Sequence, residues 1–232
     1  MQIDLAAWAA AAAWLGPAAA PVVRPVADAF GIRCTLPAEN GVAVTFDDGP
    51  HARGTPAVLE ILADHGARAT FFLVGEQVER EPALAAEIAA AGHAIGIHGY
   101  RHVLLLRRSA KAVREDLRRA TDVIGAATGT SPRLYRPPYG VFSGSALLIV
   151  RRLGWQPLLW SRWGRDWVRS TTPVAIAARA TRGLTAGDVV LLHDADHYSS
   201  ADSWRRTAAA LPVVLESAEV SELPLVAVSQ ST

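Results

Sequence analysis

From residue 41 onward, short apolar runs rich in β-branched residues alternate with longer amphipathic segments. The runs have the length and composition of strands, and several are apolar at every position, as in strands buried on both faces. They cover residues 41–46, 69–74, 94–98, 133–136, 156–161, 188–193 and 223–228. Strands that alternate with helices form a mostly parallel sheet covered by helices, either open or closed into a barrel, so the sequence predicts an α/β fold.

The segments between the predicted strands carry helix signals. Thr55-Pro56 and Thr172-Pro173 each offer a capping side chain followed by a proline at the first helical position. Glycines stand where four helices should end, at positions 66, 92, 154 and 183. Pro212 lies inside the last helical segment, so that helix is predicted to begin or kink there.

Composition limits the classes of partner and site. The chain has 232 residues, half of them hydrophobic, which suits one domain with a sizeable core. Its 23 basic residues are scattered and nearly balance 22 acidic ones, so no nucleic-acid partner is expected. Cys34 is the only cysteine, which excludes an internal disulfide and a zinc site built from cysteines. Any metal must therefore be held by histidine and carboxylate.

Residues 1–40 form an Ala-rich N-terminal segment that differs from the rest. Residues 5–23 carry no charge, as in membrane spans and secretion signals. However, Asp4 rather than a basic residue precedes the run, and Pro17 and Pro21 would break a spanning helix. Two interpretations stay open: a helix over residues 4–16 that lies on the domain or, through residues 1–23, on a membrane surface, and a degenerate export signal.

Unusual polar clusters follow five of the predicted strands. They are Asp47-Asp48, "HGYRH" at 98–102, "RPPYG" at 136–140, "SRWGRDW" at 161–167 and "LLHD" at 191–194. Because active sites of parallel α/β folds lie at the carboxyl ends of the strands, these clusters are predicted to converge on one rim.

The chemistry of two of these clusters suits a metal. His98 and His102, four residues apart, can bind one ion if the turn between them is helical, and a carboxylate from a neighbouring strand completes three ligands with a fourth position open to water. One of Asp47 and Asp48 can be that ligand, while the other takes a proton from the water that the metal activates. A polar turn and two surface histidines are the alternative, and the convergence of five clusters argues against it.

The motifs "TFDDGP", "HGYRH", "RPPYG", "DW" and "LLH" resemble, in order and spacing, the five motifs of the polysaccharide deacetylases with the NodB homology domain, carbohydrate esterase family 4. The resemblance covers residues 41 to about 228 and implies a catalytic domain over residues 41–232. It implies a distorted (β/α) barrel of about seven mostly parallel strands with surrounding helices. It also implies a divalent metal, zinc in the first place, with cobalt or another divalent ion as alternatives.

The resemblance assigns five central residues. It makes Asp47 the general base, Asp48, His98 and His102 the metal ligands, and His193 the general acid that protonates the leaving amine.

Five further residues take supporting roles by the same resemblance. Arg136 and Asp166 would support the base and the acid respectively, or pair with each other. Trp167 would form a wall of the groove and Leu191 the pocket for the acetyl methyl group. The backbone N–H of Tyr139 would donate to the oxyanion.

The sequence departs from the family pattern at two motifs. Gly99 stands where the family usually has a serine or threonine that fixes the loop, so a freer loop and weaker metal affinity are expected. Trp163 replaces the first aspartate of the fourth motif, while Arg162 and Arg165 add positive charge. These changes affect the groove wall more than the metal ligands, so they bear on the substrate rather than on the reaction.

The segment "HDADH" at 193–197 raises the question of a second metal. Asp194, Asp196 and His197 are candidate ligands, but a polar loop after the catalytic histidine is the favoured interpretation.

Three functions are weighed. The leading one is metal-dependent removal of N-acetyl groups from an N-acetylglucosamine-containing polysaccharide, peptidoglycan or a chitin-like glycan, in the cell envelope or outside the cell. The second keeps the metal but changes the substrate to a small amide, a formylated amino sugar or an O-acetyl ester such as acetyl-xylan. The third is a non-catalytic glycan-binding relic, against which the intact Asp47 and His193 speak. The acetylated glycan is the expected partner, and no protein partner is predicted.

Overall fold

A computed structural model describes residues 14–228, and within them seven strands form one sheet. The strands are β1 (Ala43–Asp47), β2 (Thr70–Leu73), β3 (Ala94–Ile97), β4 (Leu134–Tyr135), β5 (Gln156–Pro157), β6 (Arg162–Trp163) and β7 (Val189–His193). Their order is β5-β4-β3-β2-β1-β7-β6, and every neighbouring pair is parallel. The predicted α/β fold with a parallel sheet is confirmed.

Eight α-helices have both ends within the described residues and surround the sheet. They are α1 (Arg24–Ala29), α2 (Gly54–Asp64), α3 (Gly75–Arg80), α4 (Pro82–Ala90), α5 (Ala110–Thr128), α6 (Gly144–Arg152), α7 (Pro173–Thr181) and α8 (Ser203–Val220). Short 3₁₀ turns cover Gly16–Ala19, Ala38–Asn40, Leu105–Arg107 and Pro138–Gly140. No helix in the described part of the chain has the length and apolar character needed to cross a membrane.

One extended segment connects the two edges of the sheet. β5 and β6 lie at opposite ends of the strand order, yet only residues 158–161 separate them along the chain. Because five residue steps span about 18 Å at most, the sheet must curl until its edges approach each other. Residues 33–36 run along this closure, where Leu159 N–H donates to Arg33 O and Leu36 N–H to Gly187 O, both at 2.8 Å. The result is the distorted (β/α) barrel that the resemblance implies.

The register of the central strands sets up the site. All residues of β1 and β2 are buried, as expected for strands covered on both faces. In the parallel register, Asp47 at the end of β1 is paired with His193 at the end of β7. The polar ends of two distant sequence segments are thereby side by side at one rim.

Two of the predicted strands are not formed as the sequence predicted. Of the predicted strand 156–161, only the first two residues form a strand, which is β5 and pairs with β4. The chain then continues into β6, which pairs with β7. The run 223–228 is not a strand and makes only one bridge, between Val42 and Leu225. Pro224 lies in that run and has no N–H to donate, which limits ladder pairing there.

The capping signals were right at α7 and wrong at α2, and a helix start at Pro212 is also wrong. Thr172 caps α7 by accepting a hydrogen bond from Ala175 N–H at 3.2 Å. α2 begins earlier than predicted, at Gly54, whose N–H donates to the His51 ring at 2.9 Å. α8 does not begin at Pro212: the proline lies inside the helix, and buried side chains before and after it hold the helix against the core.

Residues before position 41 also reach the core. Ala27, Ile32 and Cys34 are buried, so the cysteine is a small core residue. The predicted helix over residues 4–16 lies almost wholly outside the described residues, and the domain division at residue 41 stays a prediction.

Candidate functional site

A cleft of about 360 Å³ opens at the carboxyl ends of the strands. Its lining is contributed by all five sequence clusters together with the loop after β7. The lining residues are Asp47, Asp48, His98, His102, Tyr139, Gly140, Trp160, Trp163, Trp167, Leu191, His193, Tyr198 and Ser199. The predicted convergence on one rim is therefore present in the structure.

Asp47 is buried and paired with a buried cation. Its Oδ1 accepts a hydrogen bond from Arg136 Nη1 at 2.7 Å, and the side chain of Arg136 is 0% exposed. Burial raises the pKa of Asp47, while the positive charge of Arg136 acts against that rise. Of the two pairings considered for Arg136, the structure has the one with Asp47 and not the one with Asp166.

Asp48 leaves the strand conformation. Its φ of 78° lies in the left-handed region, where a residue with a side chain is strained. The strict alternation of a strand is broken at this point, so Asp47 and Asp48 both line the cleft rather than opposite faces. At the next position, a Cβ on Gly49 would lie 2.4 Å from the carboxylate of Asp194, so only glycine fits the turn.

Asp48, His98 and His102 form a compact ligand group, with one donor atom of each lying within 4.8 Å of the others. Asp48 Oδ1 is 3.5 Å from His98 Nε2 and 3.3 Å from His102 Nε2. His98 Nδ1 lies 2.8 Å from the Arg136 carbonyl oxygen, which can only accept, so the proton is on Nδ1 and the Nε2 lone pair faces Asp48.

The electrostatics of this group fit a divalent cation. Among the described residues, Asp48 Oδ1 is buried with no hydrogen-bond partner. Burial, together with the neighbouring carboxylates, raises the pKa of Asp48 to about 7. Burial also lowers the pKa of His98 and of His102 to about 3, so both imidazoles are neutral. A carboxylate and two neutral imidazoles are a common three-ligand set for catalytic zinc.

His193 is held by an anion on the other side of this group. Its Nδ1 donates to Asp166 Oδ1 at 2.9 Å, its backbone N–H donates to Asp166 Oδ2 at 2.7 Å, and its Nε2 lies 3.9 Å from Asp48 Oδ2. Thr207 donates a further hydrogen bond to Asp166 at 2.8 Å. Burial lowers the pKa of His193, but the carboxylate of Asp166, together with those of Asp48 and Asp47, outweighs it and raises the pKa to about 10, so the ring is protonated near neutral pH.

Aromatic side chains form one wall of the cleft. The ring of Trp167 lies 5.4 Å from that of His193, Trp163 lies 5.5 Å from Trp167, and Trp160 lies 5.8 Å from Trp163. Leu191 lies on β7 beside them, in register with Trp163. The tryptophan at position 163 thus continues an apolar wall where the family pattern has an aspartate.

Two tyrosine rings contact His102 of the candidate ligand group. Tyr139 has a positive φ of 60° and places its ring 4.4 Å from that of His102, edge to face. Tyr198 stacks on His102 at 4.2 Å with an interplanar angle of 10°. Sequence reasoning did not identify Tyr198, because it lies in the loop between β7 and α8, seen only as a polar segment. Thr207 was missed for a similar reason, since its contact with Asp166 joins distant parts of the chain.

A second cluster of potential ligands is not suited to a metal. His51, Asp196 and His197 also place donor atoms within 4.8 Å of one another. However, His51 Nδ1 accepts the backbone N–H of Gly54, so the ring proton is on Nε2, which lies 3.3 Å from Asp196 Oδ1. A histidine that binds metal through Nε2 needs its proton on Nδ1. Asp194 lies elsewhere, hydrogen-bonded to Thr55, so the three candidate residues of the segment 193–197 do not form one cluster.

Comparisons with known proteins give a consistent result. The family model described as polysaccharide deacetylase matches residues 37–158. A chitooligosaccharide deacetylase of Azorhizobium caulinodans is 34% identical over 167 residues, which are 72% of this chain and 79% of that protein. A peptidoglycan-N-acetylglucosamine deacetylase of Bacillus cereus is 32% identical over 195 residues, which are 83% of this chain and 88% of that protein. The crystal structure of the Bc1960 peptidoglycan N-acetylglucosamine deacetylase, in complex with a hydroxamate-type benzamide, superimposes with a TM-score of 0.80 at 26% identity, covering 87% of this chain and 92% of that one.

Proposed function

The chain belongs to the polysaccharide deacetylase family, and from this membership we propose that it removes N-acetyl groups from an N-acetylglucosamine-containing glycan, peptidoglycan or a chitin-like polymer. The proposal is supported by relatives that deacetylate peptidoglycan and chitooligosaccharides. It is also supported by the buried acid, base and ligand groups around one cleft. A glycan of this kind lies in the cell envelope or outside the cell, which is where we propose the enzyme acts.

Asp48, His98 and His102 are proposed to hold the divalent metal, and zinc is the proposed ion because a carboxylate and two imidazoles suit it. When bound, the ion supplies Lewis-acid polarisation of the acyl oxygen and lowers the pKa of water.

Asp47 is the proposed base. The ion pair with Arg136 favours its charged form, and the second carboxylate oxygen, Oδ2, lies 3.9 Å from His98 Nε2, on the side of the ligand group. Asp47 can therefore take a proton from an attacking water while Oδ1 stays bound to the arginine.

His193 is the proposed acid. Asp166 fixes the ring through Nδ1, which leaves the protonated Nε2 free to face the cleft. Nε2 can deliver its proton to the nitrogen of the sugar as the carbon–nitrogen bond breaks, which converts a poor leaving group into a neutral amine.

Three residues are proposed to contact the substrate. Leu191 is 3% exposed and lines the cleft, so it provides an apolar surface for the acetyl methyl group. Trp167 stands beside His193 and offers a ring face to a sugar. The backbone N–H of Tyr139 is the proposed donor to the oxyanion.

The observation that carries the proposal is that Asp47 and His193 flank the ligand group, each with a buried partner of opposite charge. The test is acetate release from N-acetylglucosamine oligomers, measured with zinc and after chelation. We expect release that requires metal and is lost in Asp47→Asn. Asp122→Asn, on the exposed face of α5, is the matched control and should retain activity. No release by folded, zinc-loaded protein from any N-acetylated glycan would refute the proposal.

A second substrate class is favoured by Trp163. The apolar wall that this residue extends would also suit a small amide, a formylated amino sugar or an O-acetyl ester such as acetyl-xylan. Rates on monomeric, oligomeric and xylan substrates separate the classes, since strict dependence on an N-acetylglucosamine polymer would exclude the second.

A further inference from the structure

The loop that carries His102 has a backbone that only glycine adopts easily. Gly99 has a φ of +98°, and a Cβ at this position would lie 3.1 Å from Arg101 O and 3.3 Å from Asp116 Oδ2. A serine or threonine at position 99 would be strained and would crowd the aspartate. This loop is therefore not held by a side chain of residue 99.

Asp116, on the inner side of α5, binds the loop instead. Its Oδ2 accepts a hydrogen bond from Tyr100 N–H at 2.8 Å, and its Oδ1 accepts one from Arg101 N–H at 3.2 Å. Hydrogen bonds from backbone N–H groups to a carboxylate are charge-assisted and stronger than neutral ones. One side chain thus fixes two consecutive peptide groups immediately before His102.

The first turn of α3 completes the anchoring. Gly75 N–H donates to Gly99 O and Glu76 N–H donates to Tyr100 O, both at 2.9 Å. The loop is fixed through its carbonyl groups by α3 and through its N–H groups by α5. Within the described residues, Asp116 is the side chain that accepts hydrogen bonds from the N–H groups of Tyr100 and Arg101.

His102 depends on this loop more than His98 does. His98 follows strand β3 and is oriented by the hydrogen bond from its Nδ1 to Arg136 O. His102 Nδ1 has no hydrogen-bond partner among the described residues, and its ring is held by packing between Tyr139 and Tyr198. The position of His102 Nε2 is consequently set by the backbone of the loop and by ring contacts.

We propose that Asp116 is a positioning residue that holds the His102 loop in the geometry needed to bind the metal, in place of the hydroxyl that Gly99 lacks. The inference rests on the proposed metal site. It assigns to Asp116 an effect on metal affinity that acts through His102 and does not require contact with substrate.

The test compares Zn²⁺ affinity by isothermal titration in wild type, Asp116→Ala and the milder Asp116→Asn. Outer partners of metal ligands typically contribute about 10- to 100-fold to affinity, so we expect at least about tenfold weaker binding for Asp116→Ala. Asp116→Asn retains one acceptor oxygen and should show a smaller loss in the same direction. Glu115→Ala, the exposed neighbour on α5, is the matched control and should bind Zn²⁺ like wild type.

Two further measurements separate positioning from general destabilisation. The melting temperature of the metal-free variants shows whether they fold, and visible absorption of the Co²⁺-loaded proteins reports the ligand geometry. We expect folded variants with an altered Co²⁺ spectrum. Gly99→Ser should weaken affinity as well, because a side chain at this φ is strained and crowds the carboxylate of Asp116.

Zn²⁺ affinities of both Asp116 variants within twofold of wild type would overturn the inference. That result differs from failure of the proposed function, in which the wild-type protein itself would bind no Zn²⁺ or, when loaded, would release no acetate.

Discussion

Replacing Arg136 with methionine should destabilise the whole barrel, because this side chain connects three parts of it. Its Nη1 donates to Asp47 Oδ1 at 2.7 Å and to Thr45 Oγ1 at 2.8 Å, its Nε donates to Leu158 O at 3.1 Å, and its Nη2 donates to Leu159 O at 2.9 Å. The guanidinium thus joins β1 to the segment that closes the sheet. Methionine fills a similar volume but donates none of these hydrogen bonds.

The expected loss of stability follows from the polar groups that the substitution leaves buried without a partner. Removing one partner of a buried ion pair costs about 3–5 kcal/mol, because the other charge stays buried without compensation. Two carbonyl groups also lose donors, so we expect Arg136→Met to lower the free energy of unfolding by about 4 kcal/mol or more. Asp47→Asn should cost less, about 2 kcal/mol, because Arg136 keeps its other three acceptors. The double variant buries neither charge, so its cost should be lower than the sum of the two by about 3 kcal/mol.

The assay is urea unfolding of the metal-free proteins at pH 7, arranged as a double-mutant cycle. Arg136→Lys, which retains the charge but cannot reach four acceptors, serves as a second route if the methionine variant does not fold. Additive costs for the two single variants, within about 0.5 kcal/mol, would show that Asp47 and Arg136 do not act as a pair and would refute the reasoning.

Asp166→Asn should lower kcat for acetate release by about a hundredfold with little change in KM, since it removes the anion that keeps His193 protonated and oriented; an unchanged kcat would contradict the proposed acid role. His93 is buried, which lowers its pKa from 6.5 to about 4 in the folded protein. Between these pH values the unfolded chain binds more protons than the folded protein. The stability of the fold is therefore lost as the pH falls from 6.5 towards 4. Up to about 3 kcal/mol of unfolding free energy should disappear in that window, and His93→Asn, measured by urea unfolding at each pH, should lack this component. Trp163→Asp should raise KM for N-acetylglucosamine oligomers about 3- to 10-fold through lost ring contact, and an equal KM would show that this side chain does not touch the substrate.

The sequence predicted the sheet well where strands are buried on both faces. β1 and β7 are short runs of mainly apolar residues that end in a charged or polar residue, so their positions follow from the local sequence. The closure of the barrel could not be predicted in the same way. Residues 156–163 contribute to both edges of the sheet, and Pro224 limits the last predicted strand to one bridge. Both outcomes depend on which segments meet in space, which a local pattern does not contain.

The candidate site also contains some residues that the sequence could predict and others that it could not. Asp47, His98 and His193 could be predicted to lie close together, because each follows a strand and parallel strands bring their carboxyl ends to one rim. Tyr198 and Asp116 could not, since they act through contacts with residues far away in the chain. In the sequence, Asp116 is one of several polar residues on an amphipathic helix, and nothing local separates it from an exposed neighbour.

The charges around the cleft distinguish hydrolysis from glycan binding. Asp47 is paired with the cation of Arg136 and His193 with the anion of Asp166, and both partners are fully buried. Burying such pairs costs desolvation energy, and a binding module would gain no contact with the glycan from Arg136 or Asp166, which solvent does not reach. A reaction that takes a proton on one side of the ligand group and delivers one on the other needs a carboxylate kept charged and an imidazole kept protonated. Arg136 favours the charged form of Asp47 and Asp166 the protonated form of His193, so the proposed hydrolysis accounts for both pairs, whereas a non-catalytic glycan-binding role accounts for neither.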